Sequence, residues 1–281
     1  MKKDLLRARG RRVLRYVLIY GVVAVILVYS LFPILWMILT SFKNQVDALS
    51  LPPKLLFQPT IKNYVDVFTS IGFGRYYVNS LVVVILSVGI SLLVGVPAAY
   101  ALTRYDFRGK SQISLWILSV RIAPPIAFLI PFYVMYQRLD LLDTRLGLIV
   151  IYVAINLTMV IWLMKGFFED IPPDIEESAL VEGCSPFQVF WWVTLPVAMT
   201  GIAATAILGF IFTWNELMFA IVLTSNHAKT APAGIYNFIG YNDIRWGQLT
   251  AASSIVVVPP LIFIITMRKN LLRGLTFGAV K

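Results

Sequence analysis

Two ionisable residues lie inside otherwise apolar stretches of this 281-residue chain. Arg121 precedes Pro124 and Pro125, and Glu216 closes the run Phe212-Thr213-Trp214-Asn215-Glu216. A charge at membrane depth costs on the order of a few kcal/mol, so each residue marks a functional position. The run ending at Glu216 gathers an indole face, an amide and a carboxylate, groups that grip hydroxyls by stacking and paired hydrogen bonds. Arg121, Trp214, Asn215 and Glu216 are therefore candidates for lining a path taken by a polyhydroxy solute, and Asn156 is a further one. The competing expectation is internal. In it Arg121 pairs with Glu216 to tie helices together, while Asn156 and Asn79 make interhelical hydrogen bonds.

A second chemical signal is a cluster of charge. Six of the 14 acidic residues, Glu169, Asp170, Asp174, Glu176, Glu177 and Glu182, fall between Lys165 and Leu195. After Ile171-Pro172-Pro173, Asp174 is expected to cap a short helix and Glu177 to complete a capping box. Gly183 is expected to end that helix in a left-handed turn, and Ser185, Pro186 and Gln188 to start a second one. The product is an acidic helical hairpin suited to a cleft on another protein. Hairpins that merely lie on anionic lipid are rich in Lys and Arg instead.

The elements that must hold these groups are membrane spans. The chain is 59% apolar and 14% charged, whereas soluble domains carry roughly a quarter charged residues. No charge falls between Arg15 and Lys43, Arg75 and Arg104, Arg145 and Lys165, or Arg245 and Arg268, and each gap can hold a spanning helix. Two more spans are interrupted by no charge but Arg121 and Glu216, and in the first of them Pro124 and Pro125, lacking amide donors, are expected to break the helix beside the Arg121 guanidinium. The expected fold is an all-α integral membrane protein with a basic tail over 1–15 and a six-helix transmembrane domain over 16–267. Its spans are placed at about 16–40, 77–103, 112–136, 146–164, 195–223 and 246–267. A cytoplasmic loop covers 165–194 and a cytoplasmic tail 268–281. Pro52, Pro53 and Pro59 argue against a regular helix in the outer loop from Lys43 to Arg75. The first apolar run is too long for a secretory signal and reads as a retained anchor.

The net charge of +10 is mostly an orientation signal. Seven Lys and Arg precede the first span, Arg104, Arg108 and Lys110 follow the second, Lys165 follows the fourth, and four follow the last. These 15 face eight on the other side, which puts both termini of a multi-pass protein in the cytoplasm. Nucleic acid is thereby excluded as the reason for the charge. The single Cys184 and single His227 support neither a metal site nor a catalytic one, and the H-E-x-x-H and G-x-S-x-G patterns are absent. G-x-x-x-x-G-K-[ST] is absent too, so ATP would have to act through a partner. The alternative is a self-contained secondary transporter or channel for a small polar solute, but six spans without an internal repeat look like half of a pathway.

The run Ile171-Pro172-Pro173-Asp174-Ile175-Glu176-Glu177-Ser178-Ala179-Leu180-Val181-Glu182-Gly183 with Leu195-Pro196 resembles the EAA signature of ABC importer permeases. Asn79-Ser80, Ala98-Ala99-Tyr100-Ala101-Leu102, Arg121 with Pro124-Pro125, Leu142-Asp143-Thr144, Trp214-Asn215-Glu216 and the tail from Arg273 to Lys281 are similar to the carbohydrate, maltose-like branch. Ser178 stands where Ala is usual and Glu182 where Asp is common. The resemblance implies a type I ABC importer fold in which Glu176, Glu177, Ser178, Ala179, Glu182 and Gly183 couple to an ATPase. It further implies a second permease subunit, a cytoplasmic ATPase dimer that binds ATP and Mg, and an extracytoplasmic solute-binding protein. It places the protein in a bacterial inner membrane, and the chain itself would bind no cofactor.

Overall fold

The computed structural model describes residues 2–70, 72–240 and 243–276, with side chains at 16–70, 72–240 and 243–266. The basic side chains of 1–15 and those of the 273–281 motif lie outside the described side chains. The chain forms two compact units, Met1–Ile71 with Phe238–Ile255, and Gly72–Asn237 with Val256–Lys281.

The first unit starts with α1, Lys2–Ser41, followed by α2, Gln45–Ala48, and α3, Lys62–Ser70. Helix α3 corrects the expectation of irregular chain throughout 43–75. The prolines keep residues 52–59 out of helix, but the chain beyond Pro59 is free to wind. Asn63 then fastens α3 by donating to the carbonyls of Ser41 and Lys43 at 2.8 and 2.7 Å.

The second unit holds α4, Phe73–Arg104; α5, Lys110–Ile122; α6, Leu129–Arg138; and α7, Arg145–Glu169. It continues with α8, Pro173–Val181, and α9, Pro186–Gln188, which passes through a π-helical segment, Val189–Thr194, into α10, Leu195–Val197. Then come α11, Met199–Trp214; α12, Met218–Leu223; and α13, Ala231–Ile235. The last helix, α14, Trp246–Thr276, contributes its start to the first unit and its end to the second.

Among the described residues, four helices are long and apolar enough to cross a membrane, namely Tyr16–Ser41, Phe73–Arg104, Arg145–Glu169 and Trp246–Thr266. Two bent pairs make the number six if each is one span: Lys110–Ile122 with Pro125–Arg138, turned by 93°, and Pro186–Val197 with Met199–Trp214, turned by 70°. The span over 112–136 is broken at its proline pair, as expected, and the span over 195–223, expected to be continuous, is broken as well. In the first, Pro124 and Pro125 lack amide donors and force Ala123 out of the helical region. In the second, helix stops at Trp214 and resumes only at Met218.

The most extensive helix pairing is between α4 and α7, with α11 packed on both. Small residues permit this approach, as membrane helices require. A Cβ added at Gly95 would lie 2.7 Å from Val160 Cγ1, and one at Gly201 would lie 2.5 Å from the Phe167 ring. Ser91 Oγ donates to the Ser87 carbonyl at 2.7 Å and reaches the Val153 carbonyl across the α4–α7 seam at 3.3 Å. Gly95→Leu is expected to destabilise this pair by about 1–3 kcal/mol, the usual cost of overpacking. Thermal unfolding of the purified protein would show it. Gly166→Leu, where an added Cβ meets nothing within 4 Å, should shift the midpoint far less.

Candidate functional site

Helix α8 starts two residues earlier than an Asp174 cap would place it. Pro172 occupies the N-cap and Pro173 the first helical position, so Asp174 lies inside the first turn and no side chain caps the helix. The fixed φ of proline pre-organises that start, and its missing amide is one the helix end would leave unpaired anyway. Asp174 instead offers its carbonyl to Ser178 Oγ at 2.8 Å.

The other end of α8 follows the sequence pattern. Gly183 takes φ +95°, Cys184 N donates to the Ala179 carbonyl at 3.0 Å, and Gly183 N donates to that of Leu180 at 3.1 Å. This pair of bonds is a Schellman turn. Ser185 and Gln188 then form a reciprocal capping box, with Pro186 at the first helical position. The hairpin is thus locked by its own local bonds.

Its faces differ. Glu177, Ser178, Glu182 and Gly183 are exposed, as are Val181 at 89% and Phe187 at 72%. Glu176 and Ala179 are buried. Glu176 does not face outward with its acidic neighbours: both of its oxygens accept from Arg104 Nε at 3.0 Å, and Tyr100 and Thr194 donate to it as well. A direct docking contact through Glu176 is therefore corrected, because its carboxylate is spent inside the protein.

The second site is a cavity of about 630 Å³ whose lining includes Arg121, Asn156, Glu216, Tyr152, Phe132 and Phe212. Three of the five path candidates converge here. Arg121 reaches the cavity from the last turn of α5, beside the 93° bend, with its guanidinium 5.6 Å from the centre of the Trp162 ring. That contact is a cation–π pair and stands where an Arg121–Glu216 ion pair was the competing expectation. Among the described residues no salt bridge joins the two.

Glu216 is held differently. Its carboxylate accepts from Tyr152 Oη at 2.7 Å and from the amides of Met218 and Phe219 at 3.0 and 3.1 Å. It ties the start of α12 to the middle of α7. Asn156 Nδ2 donates to Thr213 Oγ1 at 2.7 Å, the interhelical bond that a buried amide favours. Trp214 and Asn215 lie outside the cavity lining. The Trp214 indole is buried against Phe210 and Tyr77 and donates to the Val256 carbonyl at 3.1 Å, while Asn215 Nδ2 donates to the Ile211 carbonyl one turn back.

A third arrangement was visible in the sequence only as part of a motif. Asp143, in the turn between α6 and α7 with φ +53°, receives the amides of Ser225, Asn226, His227 and Ala228 and the hydroxyl of Ser225, all between 2.9 and 3.2 Å. Burial raises its pKa, but the four amides outweigh this and hold it well below its ordinary value of 3.8. Asn79, fully buried at the start of α4, secures the same loop by donating to the carbonyls of His227 and Lys229, and accepts from Arg145 Nε at 2.7 Å. His227 Nδ1 faces Arg75 Nη2 at 2.9 Å. Arginine has no acceptor, so the guanidinium is the donor in this contact. Among the described residues no group of His, Cys, Asp and Glu could hold a metal ion.

Comparison with known proteins returns the binding-protein-dependent transport system inner membrane component family over residues 91–276. A probable ABC transporter permease protein, y4oR, of Sinorhizobium fredii is 40% identical over 274 residues, covering 98% of both chains. The trehalose/maltose transport system permease protein MalG of Thermococcus litoralis is 32% identical and covers 95% of this chain and 97% of its own. Among solved structures, a bacterial ABC transporter that imports the acidic polysaccharide alginate superposes with a TM-score of 0.72 at 24% identity, over 91% of this chain and 97% of that one.

Proposed function

We propose, from the premise that this chain belongs to the binding-protein-dependent transport system inner membrane component family, that it is one half of the pathway of a carbohydrate importer. The chain is a membrane-spanning ABC permease subunit. The observation that carries the carbohydrate reading is the cavity in which Arg121, Asn156 and Glu216 stand among phenylalanine rings. Hydrogen-bonding groups between aromatic faces match the alternating hydroxyl edges and apolar faces of a sugar. The trehalose/maltose assignment of the Thermococcus relative supports the same class.

A second permease completes the pathway, an extracytoplasmic binding protein delivers the solute, and both termini face the cytoplasm. ATP and Mg are bound by a pair of partner ATPases. Their cleft receives the exposed face of the hairpin, where Glu177 and Glu182 flank the apolar Val181. Closure of the ATPase dimer on ATP moves α8, and the spans attached to it turn the pathway outward.

Arg121 acts on the solute directly, whereas Glu216 also braces α12. Arg121→Leu is expected to lower solute uptake by the assembled transporter about 10- to 150-fold, the range of a charged hydrogen bond worth about 1.5–3 kcal/mol. Glu216→Gln should lower both uptake and thermal stability, because a neutral amide cannot accept from all the donors now on the carboxylate. Uptake at the unmodified rate in both variants, with the complex intact, would remove the cavity from the path.

A further inference from the structure

Alone among the six acidic residues of the hairpin region, Glu176 is turned away from solvent. It is the meeting point of three separate chain segments. Arg104 Nε, at the inner end of α4, donates to both carboxylate oxygens at 3.0 Å, and Tyr100 Oη, one turn earlier, reaches Oε2 at 3.2 Å. Thr194 Oγ1, from the π-helical segment that leads into α11, donates to Oε1 at 3.0 Å. Arg104 also uses Nη2 to hold the Ile171 carbonyl at 2.8 Å, in the turn that joins α7 to α8. The two charged side chains are only 14% and 9% exposed.

We infer that Glu176 and Arg104 form a transmission pin, which passes movement of α8 to α4 and to the π segment below α11 and takes no part in binding the ATPase. Glu176 is thus a positioning residue. The inference rests on the importer reading above. Helix α8 is short, and its outward face is reserved for a partner, so apart from its two chain connections a push on it reaches the spans through its inward face. That face offers Ala179, which can slide, and Glu176, which cannot. A paired charge at low exposure has one favourable geometry, and moving either partner leaves the other uncompensated. Buried ion pairs serve best as registry devices of this kind. Helix α7 is joined to α8 by the chain itself, and Thr194 extends the link toward α11. Helices α7 and α11 carry the cavity residues Tyr152, Asn156 and Thr213. A lateral push on the hairpin therefore reaches the cavity along both walls at once.

The test uses the whole transporter in lipid, with Phe212→Cys in the cavity wall as a reporter and Cys184→Ser to remove the native thiol. MgATP with vanadate is the probe, and the rate of thiol labelling at position 212 is read with and without it. Glu176→Gln is expected to keep its ATPases and its ATP turnover while the nucleotide-induced change in labelling falls at least about tenfold, as loss of a buried charge partner implies. Arg104→Gln should do the same, and the double variant should be no worse than the worse single one, because both remove one pin. Arg104→Lys keeps the charge but loses the two-pronged grip on Glu176 and Ile171, and should fall in between. Glu169→Gln, which breaks an exposed pair with Lys165, should respond like the unmodified protein. If the unmodified complex does not change its labelling with nucleotide, the importer reading fails. If it does change and Glu176→Gln changes equally, the pin is wrong and the reading stands. Should Glu176→Gln not assemble, Arg104→Lys and Tyr100→Phe decide. Full responses from both would equally overturn the pin.

Discussion

Asp143→Asn is expected to release the loop that follows α12, although the substitution changes neither size nor backbone preference. Asn tolerates φ near +53° as readily as Asp does, so the turn before α7 is not strained. What is lost is the acceptor. Four successive amides, from Ser225 to Ala228, now point at one carboxylate. An asparagine would set an NH2 group against some of them, leaving donors unpaired. Each hydrogen bond to a charged group contributes about 1.5–3 kcal/mol and neighbours are not additive, so a combined loss of about 2–3 kcal/mol is reasonable. Hydrogen exchange at these amides should accelerate about 30- to 150-fold, at 1.36 kcal/mol per factor of ten. Amides in α7 should hardly change. Equal exchange in both proteins would show that the loop is held by Asn79 and its own packing instead.

The same clamp has a pH dependence of definite sign. The carboxyl of Asp143 ionises more readily in the folded protein than in the unfolded chain, so folding favours its charged form. The stabilisation is complete above the ordinary value of 3.8 and is lost only as acid protonates the folded carboxylate, at lower pH still. Exchange at the four amides should therefore be independent of clamp protonation from neutral pH to about pH 4, after allowing for the intrinsic rate, and should rise in stronger acid.

Gly183→Val should have the largest effect on transport of any single change in the hairpin. An added Cβ at Gly183 meets no atom within 4 Å, so crowding is not the obstacle. The obstacle is φ +95°, which a β-branched residue rejects at a cost of about 1–3 kcal/mol. The cheaper course is for the turn to open, breaking the bond from Cys184 N to the Ala179 carbonyl and swinging α9 away from α8. The exposed faces that present Val181 and Phe187 would no longer be held at a fixed angle, and ATPases should be lost on purification. Gly183→Ala should retain more of the complex, since its strain is smaller. Glu177→Lys tests the same face by charge and is expected to disrupt binding without altering the hairpin's helix content. Recovery of an intact, ATP-hydrolysing complex from Gly183→Val or Glu177→Lys would count decisively against docking through this hairpin.

Where the governing interactions are local, the sequence was legible. Gly183 ends α8, and Ser185 with Gln188 caps the next helix, because those bonds span three to five residues. The proline pair at 124 and 125 breaks its span for the same reason. Helix α8 begins two residues before the start that an Asp174 cap implies, because two adjacent prolines pre-organise its first turn. Helix α3 lies beyond the reach of Pro52, Pro53 and Pro59, since a proline constrains only itself and its near neighbours. The run from Phe212 to Glu216 shows where local reading runs out. Consecutive helical residues point in different directions, so Trp214 turns into the core and Asn215 back along its own helix, leaving Glu216 beside the cavity.

By itself the sequence determined that this is a helical membrane protein, that four charge-free stretches form long apolar helices, and that an acidic hairpin with a glycine turn at Gly183 and a cap at Ser185 lies between them. Those properties follow from composition, charge spacing and bonds between near neighbours. Only the tertiary structure decided which way each charged group faces. Glu176 meets Arg104 across 72 residues, Tyr152 meets Glu216 across 64, and Asp143 meets Ser225 across 82. A carboxylate in or near a membrane goes wherever donors are assembled for it, since leaving it unpaired is so costly. Those donors come from helices whose pairing no local pattern records.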